Sequence, residues 1–372
     1  MNLSKSIDFL LENAGAVIQY RLRKEILKNI SQAEEEKILK QIYQTPHFKL
    51  IEGYIKPNGI IGGLTIPDKD KHTRLQDCEA VARLLSNYAI PKNHPYVENF
   101  VAALRNDDVL YDELSGWKYE GGYEGRFNSI NNGNATMAVI YAMQAMMGYG
   151  DDYDDLRDFQ EICLKGFRHV LEVSSLDEIV KKNPKIRKST PYIESDEYFP
   201  NMYTLAMLAY THNWRTPENV KMLADFWNHL DAIAEHGNLI GGVSRLVNGK
   251  LHCTSCAFTS PITPFSPENI TTIVYRRLLT EISMLGASDS VDVINKSVFS
   301  VENSLDDDGV LRLRFDLPHN KHYSPRYIEY PTKYVDTRLE PYYQPRVKNP
   351  VGLLCDLTFW AVQFLHYTKM EN

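Results

Sequence analysis

NNGNATMAVIYAMQAMMGYGDDYDDLRDFQEICLKGFRHVLEV, residues 131–173, contains two helices of opposite character. The first, about 131–148, sets Met137, Ile140, Tyr141, Gln144 and Met147 at helical spacing and carries almost no charge. The second, about 152–173, places Ile162, Cys163, Phe167, Val170 and Leu171 on one stripe, with acids and bases around the rest. A helix that is apolar all round is buried, and an amphipathic one faces solvent on one side. The stretch therefore reads as an inner helix and an outer helix joined by a short turn at 149–151.

The same alternation runs outward in both directions. Apolar helices, poor in charge, are expected at about 14–28, 73–88, 131–148, 199–212, 268–285 and 352–367. Amphipathic, charged helices are expected at about 33–53, 94–106, 152–173, 216–235 and 289–304. Leu3–Leu11 supplies a sixth amphipathic helix that can close the outer set from the N-terminal side. Short β-like pieces, such as Val310–Phe315, fall only in connections. The chain thus reads as all-α, with six inner and six outer helices in one domain over residues 1–372.

A second repeat follows the outer helices. Pro57-Asn58-Gly59-Ile60-Ile61-Gly62-Gly63, Ser115-Gly116-Trp117-Lys118-Tyr119-Glu120-Gly121-Gly122, Gly237-Asn238-Leu239-Ile240-Gly241-Gly242 and Asp307-Asp308-Gly309-Val310-Leu311-Arg312-Leu313 are each a polar turn leading into a short extended piece. Asn-Gly and Asp-Gly supply the positive φ that a tight reversal needs. The third hairpin, 131–173, is not followed by this turn.

Helices alternating in this way, with a Pro/Asp/Asn-Gly turn after the outer member, resemble the α/α-toroid of terpenoid cyclases and protein prenyltransferases. The likeness covers nearly the whole chain and is one of architecture. It implies an (α/α)6 toroid with a central-cavity active site for a small, hydrophobic or anionic substrate. The Asp-x-Asp-Asp motif of the proton-initiated cyclases is not met by Ser304-Leu305-Asp306-Asp307-Asp308, where Leu305 stands in place of the first aspartate. An (α/α)6 barrel of the glycoside hydrolase and polysaccharide lyase kind reads similarly, and so does a non-catalytic toroid that binds a ligand or a protein.

Composition agrees with a folded globular chain. Of 372 residues 43% are hydrophobic and 24% charged, so a sizeable core is available and extensive disorder is excluded. A formal net charge of −7 argues against nucleic acid as a partner. No apolar run reaches the roughly 18 residues that span a bilayer, and Asp8 and Glu12 interrupt the N-terminal stretch, so a cytoplasmic location and no integral membrane segment are expected. Five cysteines without an export signal make a disulfide scaffold unexpected.

Connection lengths locate a site. Inner-to-outer turns are short (29–32, 89–93, 149–151, 213–215 and 286–288), and outer-to-inner connections are long (54–72, 107–130, 174–198, 236–267 and 305–351). The long loops all leave from the rim that holds the N-termini of the inner helices, where exposed N–H groups favour negative charge. Asp77, in Leu75-Gln76-Asp77-Cys78, and Asp356, in Leu354-Cys355-Asp356-Leu357, enter non-adjacent inner helices in like positions and are the candidate general acid and base. His72, Arg74 and Glu79 enter beside Asp77, Asn134 enters the third inner helix, and Tyr198 the fourth. Capping of free helix N–H groups is the competing role for such residues.

The last loop reverses the sign of the chain. Between Arg312 and Lys348 eight basic residues stand against four acidic ones, with six tyrosines between Tyr323 and Tyr343 and prolines that exclude helix. Arg314, His322, Arg326, Tyr327, Tyr334 and Arg338 are the substrate-binding candidates there, joined by Trp117, Tyr119, Tyr123 and Arg126 from the second loop. Guanidinium groups and phenol rings together suit a phosphate, a carboxylate or a sugar. No cofactor is expected. Asp151-Asp152-Tyr153-Asp154-Asp155 has the spacing of a magnesium motif but falls in a short turn, and reads as first-turn acids complementing a helix dipole. Cys253-Thr254-Ser255-Cys256 has zinc-knuckle spacing but no second pair in sequence reach.

Overall fold

The computed structural model describes residues 3–45, 48–49, 51–64, 78–114, 135–182, 191–194, 198–235, 243–247, 250–253, 257–266, 273–312 and 350–369. Among them the chain is mostly helical, as expected. The helices are α1 Ser4–Asn13, α2 Ala16–Arg21, α3 Gln32–Tyr43, α4 Cys78–Asn87, α5 Pro95–Leu104, α6 Asp107–Leu114, α7 Ala135–Met146, α8 Asp154–Leu171, α9 Met202–Ala209, α10 Pro217–Ile233, α11 Ile273–Ser283, α12 Asp292–Ser304 and α13 Pro350–Tyr367. α2 continues into a π-helical turn, Leu22–Ile26. Strands are short and lie in connections: β1 Tyr192–Glu194 pairs in parallel with β2 Ser244–Val247, which pairs antiparallel with β3 Lys250–Cys253. Of the expected β-like piece Val310–Phe315, residues 310–312 are described, and there Leu311 forms an isolated bridge with Leu305.

Burial follows the two classes read from the sequence. Every described side chain of α9 except Thr204 is buried. So are residues 277–283 of α11 and 355–365 of α13, and all of 137–146 in α7 except Val139. α12 instead buries Ile294, Ser297 and Val301 on one stripe and exposes Phe299. α3 buries only Leu39 and Ile42. Each large apolar side chain removed from water contributes roughly 1.5–3 kcal/mol, which explains why the charge-poor helices are the interior ones. Local signals set the ends. Ser31 and Glu34 form a reciprocal capping box at α3, and Thr216 accepts from the Asn219 N–H with Pro217 opening α10.

The chain divides into two compact units. The first comprises Met1–Ala103, Phe265–Thr280 and Lys296–Glu371. In it α1 and α2 both pack on α13. Leu10, Ala14, Ile18, Leu22, Cys355, Phe359 and Val362 form their shared core. The second comprises Leu104–Pro264 and Glu281–Asn295. There the buried helices α7 and α9 pack together, the amphipathic helices α8 and α10 pack together, and α8 also meets α9. Phe167, Phe226, Trp227 and Phe258 make an edge-to-face aromatic cluster in that unit.

Two of the repeated turns are described, and they share the same bridge and the same backbone hydrogen bonds inside the turn. Ile55 bridges Ile61 and Leu305 bridges Leu311. Lys56 N–H donates to Ile60 O at 2.8 Å and Asp306 N–H to Val310 O at 3.1 Å. Gly59 and Gly309 hold φ of +87° and +74°. Each glycine also lies against a helix: Gly59 against Asn99 and Ala103 of α5, Gly309 against Lys5 and Ser6 of α1. Ser6 Oγ donates to Gly309 O at 2.6 Å, and Lys5 Nζ donates to Asp307 O at 2.7 Å. The first turn thus seats on the next outer helix in sequence. The last turn seats on α1. The turns at 115–122 and 237–242 lie outside the described residues.

Candidate functional site

The inner helices of the first unit touch in the sequence α11, α13, α2, α4. Trp360 Nε1 donates to Thr280 Oγ1 at 3.1 Å, the Arg21 guanidinium lies 5.6 Å from the Phe359 ring centroid, and Arg21 Nη1 donates to the Asn87 carbonyl at 3.3 Å. These four helices carry charge in their interiors. Asp356 is fully buried, Arg83 and Arg277 are 3% exposed and Arg21 is 7% exposed. Ionised groups moved out of water cost several kcal/mol each unless they are compensated. They are therefore the residues of this core that packing alone does not account for.

Asp356 occupies the second turn of α13, between buried Cys355 and Leu357. One residue further on, Thr358 Oγ1 accepts the Leu311 N–H at 3.1 Å, which ties the root of the last long connection to the same helix. On α4, Arg83 Nε donates to Glu79 Oε1 at 2.9 Å, with the guanidinium 3% and the carboxylate 15% exposed. Glu79 sits in the first turn, where the helix dipole favours an anion. Arg277 stands one turn before the Thr280–Trp360 contact. Arg21 has a different role. Glu25 holds it at 2.8 Å, and it donates to the C-terminal end of α4, where a cation complements the dipole. The carboxylates on α13 and α4 and the guanidiniums on α4 and α11 are groups of the types that serve proton transfer and anion binding.

Of the candidates read from the sequence, Asp356, Glu79 and Tyr198 are described. Tyr198, in the second unit, is 38% exposed, just before the Asn201 cap of α9. Asp77, His72, Arg74, Trp117, Tyr119, Tyr123, Arg126, Asn134, Arg314, His322, Arg326, Tyr327, Tyr334 and Arg338 lie outside the described residues. Sequence reading did not single out Arg83 or Arg277. The available signal was an opposite-charge pair four residues apart in an otherwise apolar helix: Glu79/Arg83, Arg277/Glu281 and Arg21/Glu25. Glu281, in the second unit, is also fully buried.

The aspartates at 151–155 are engaged as structural groups. Asp151 accepts from the backbone N–H groups of His212 (2.8 Å) and Asn213 (3.1 Å), bracing one short turn with the next. Asp155 accepts from Tyr141 at 2.8 Å and from Arg105 at 2.9 Å. Arg105 also donates to Gln144 Oε1 at 3.0 Å and stacks 3.5 Å from the Tyr153 ring centroid. Asp154 pairs with Arg157.

At the last repeated turn, burial raises the Asp306 carboxyl, but the Val310 N–H, the Arg312 guanidinium and the Asp308 N–H outweigh it and hold the pKa below its usual value. At the far end of α2, Tyr20 donates to Glu35 at 2.8 Å, and Lys24 reaches the same carboxylate at 2.5 Å. Burial, then the Glu35 carboxylate, pushes the Tyr20 phenol far above its ordinary range. Lys24 holds Glu35 low against its partial burial, with Tyr20 assisting. Among the described residues no cluster of three metal-ligating side chains occurs, and no helix is long and apolar enough to cross a membrane. Comparison with protein families, curated proteins and solved structures finds no match to this chain.

Proposed function

We propose that this chain is a small-molecule enzyme built as an α/α-toroid, with its active site at the N-terminal ends of the inner helices. Asp356 is the proton donor or acceptor, and Asp77 is its counterpart on the second inner helix. The single observation that carries this reading is the fully buried Asp356 carboxyl on an inner helix of otherwise apolar character. A carboxyl at this place on the helix is a group able to deliver a proton to an alkene or a leaving group, or to take one up. The alternation of buried and amphipathic helices, interrupted by α6, and the seating of the last turn on α1 support a closed toroid.

The apolar inner walls suit a hydrocarbon substrate, and tyrosine faces from the 305–351 connection suit a developing cation. Arg314, Arg326 and Arg338 would hold a diphosphate, with Tyr327, Tyr334 and His322 flanking it. His72, Arg74, Asn134, Tyr198 and the Trp117, Tyr119, Tyr123, Arg126 group complete the proposed mouth. The test is to incubate the protein with geranyl, farnesyl and geranylgeranyl diphosphate, and separately with an oligosaccharide panel, and to identify products by mass spectrometry. Turnover of an isoprenoid is expected. It should fall by on the order of 10²-fold or more in Asp356→Asn while the melting temperature stays close to wild type. Turnover of oligosaccharides alone would replace this reading with a carbohydrate-active one. Absence of any turnover would favour a binding toroid.

A further inference from the structure

His94 stands where a serine, threonine or aspartate usually caps a helix. It immediately precedes Pro95, the first residue of α5, and its Nδ1 accepts the Tyr96 N–H at 3.2 Å. Its carbonyl accepts from Val97 and Glu98, at 2.9 and 3.0 Å. The ring is caged. Its centroid lies 4.8 Å from Tyr43 of α3, 5.5 Å from Phe48 and 4.9 Å from Tyr96. Phe48 and Tyr96 stack on each other at 5.5 Å, and the Tyr96 hydroxyl donates to Glu52 at 3.0 Å. One imidazole therefore both caps α5 and fills the contact between α3, the Phe48 segment and α5.

This arrangement requires one protonation state. An acceptor at Nδ1 exists only in the neutral ring that carries its proton on Nε2. A second proton on Nδ1 would face the Tyr96 N–H head on, so the ring must leave the cage or the cap must open. We infer that His94 is a pH-operated latch for the N-terminus of α5: closed when the imidazole is neutral, open when it is protonated. Among the described residues no charged side chain pairs with His94. Burial lowers the affinity of His94 for its second proton, and the positive end of α5 acts in the same direction. Tyr43 and Tyr96 are both raised above the ordinary phenol value, by burial first, and carry no charge between pH 5 and 8. The charged residues nearby in the chain, Lys49, Glu52, Lys92 and Glu98, are all exposed.

Opening the latch has a defined consequence. α5 is the helix on which the first repeated turn seats, through Gly59 against Asn99 and Ala103. That turn leads into the 65–77 connection, which carries His72, Arg74 and Asp77. Acid would thus loosen the support of that turn.

The test is hydrogen–deuterium exchange of the full chain at pH 7.5 and pH 5.0, corrected for the intrinsic pH dependence, read on peptides covering 92–104 and 51–64. Wild type should lose protection in both by about tenfold at pH 5.0, the scale of a lost helix cap. His94→Asn, which keeps an acceptor at the cap and does not titrate, should hold protection unchanged at both values. His94→Ala should be unprotected at both. A His94→Asn protein with the same acid loosening as wild type would overturn the latch. So would a wild-type protein equally protected at both values. Should either variant fail to fold, proton NMR of the wild-type imidazoles decides. The inference stands if a histidine titrating below 6.5 tracks loss of the Tyr96 amide, and falls if none does.

Discussion

Replacing Gly309 by alanine tests the seating of the last turn on α1. A Cβ at this position would lie 2.7 Å from Ser6 N, 2.8 Å from Ser6 Oγ and 3.0 Å from Lys5 Cβ. Two of these neighbours are not flexible ends: Ser6 N is helix backbone, and Lys5 Cβ moves only with it. The residue must also hold φ near +74°, which costs an L-residue about 1–2 kcal/mol. Relieving the overlap requires α1 to withdraw, which stretches the 2.6 Å bond from Ser6 Oγ to Gly309 O and is worth another ~1 kcal/mol. The sum is about 2–3 kcal/mol before any loss of packing around Leu10. Gly59→Ala is the internal control. Its φ is similar, +87°, but its Cβ would meet Ala103 Cβ at 3.1 Å and Asn99 O at 3.2 Å, contacts that give by a few tenths of an ångström. Its cost is expected to stay near the φ strain alone, about 1–2 kcal/mol. Urea unfolding followed by circular dichroism measures both. Gly309→Ala should be the more destabilised by about 1 kcal/mol and should expose α1 to limited proteolysis. Equal effects, or a Gly309→Ala protein as stable as wild type, would refute the tight seating of the turn on α1.

Three further outcomes follow from the geometry. Asp155→Ala strips Arg105 and Tyr141 of a shared acceptor in a partly buried site, and should lower stability by about 1–3 kcal/mol in urea unfolding. Trp360→Phe keeps most of the ring but removes the donor to Thr280, and should cost about 1–2 kcal/mol by the same measurement. Glu35 gives a pH dependence of defined sign. Its folded pKa is depressed, so its contribution is complete above the unfolded value of 4.5 and is lost as pH falls through the folded value. Lys24→Met should flatten the stability profile on the acid side of pH 4.5, and an unchanged profile would remove Lys24 as the cause.

The helical alternation was legible because it depends on composition around a whole helix. α7 and α13 have almost no charge to expose, while α8 and α12 have an apolar stripe and little else. The N-terminal helix was legible for the same reason. α6 was not, because 107–130 reads as one long connection, although Asn106 caps it by accepting from Asp108 and Val109 and Leu110 and Leu114 are buried one turn apart. The π-helical turn after Arg21 has no sequence cue, since its hydrogen bonds shift by one residue without a proline or glycine to mark them. Three- and four-residue strands such as β1 and β2 are too short to show alternation. For the site, Asp356 was legible as an acid inside an apolar run. His94 was not, because histidine is uncommon as a cap and its role depends on Tyr43 and Phe48 converging from outside α5.

In the proposed function Asp356 serves a ligand rather than the core. Co-crystallisation with a non-reactive farnesyl thiodiphosphate tests this most directly. Ligand density with its hydrocarbon within about 4 Å of the Asp356 carboxyl, and its diphosphate toward the basic residues of 313–349, is the predicted result. Density at the short-turn ends beside Asp151, or an Asp356 carboxyl enclosed by protein atoms with the probe bound elsewhere, would contradict it.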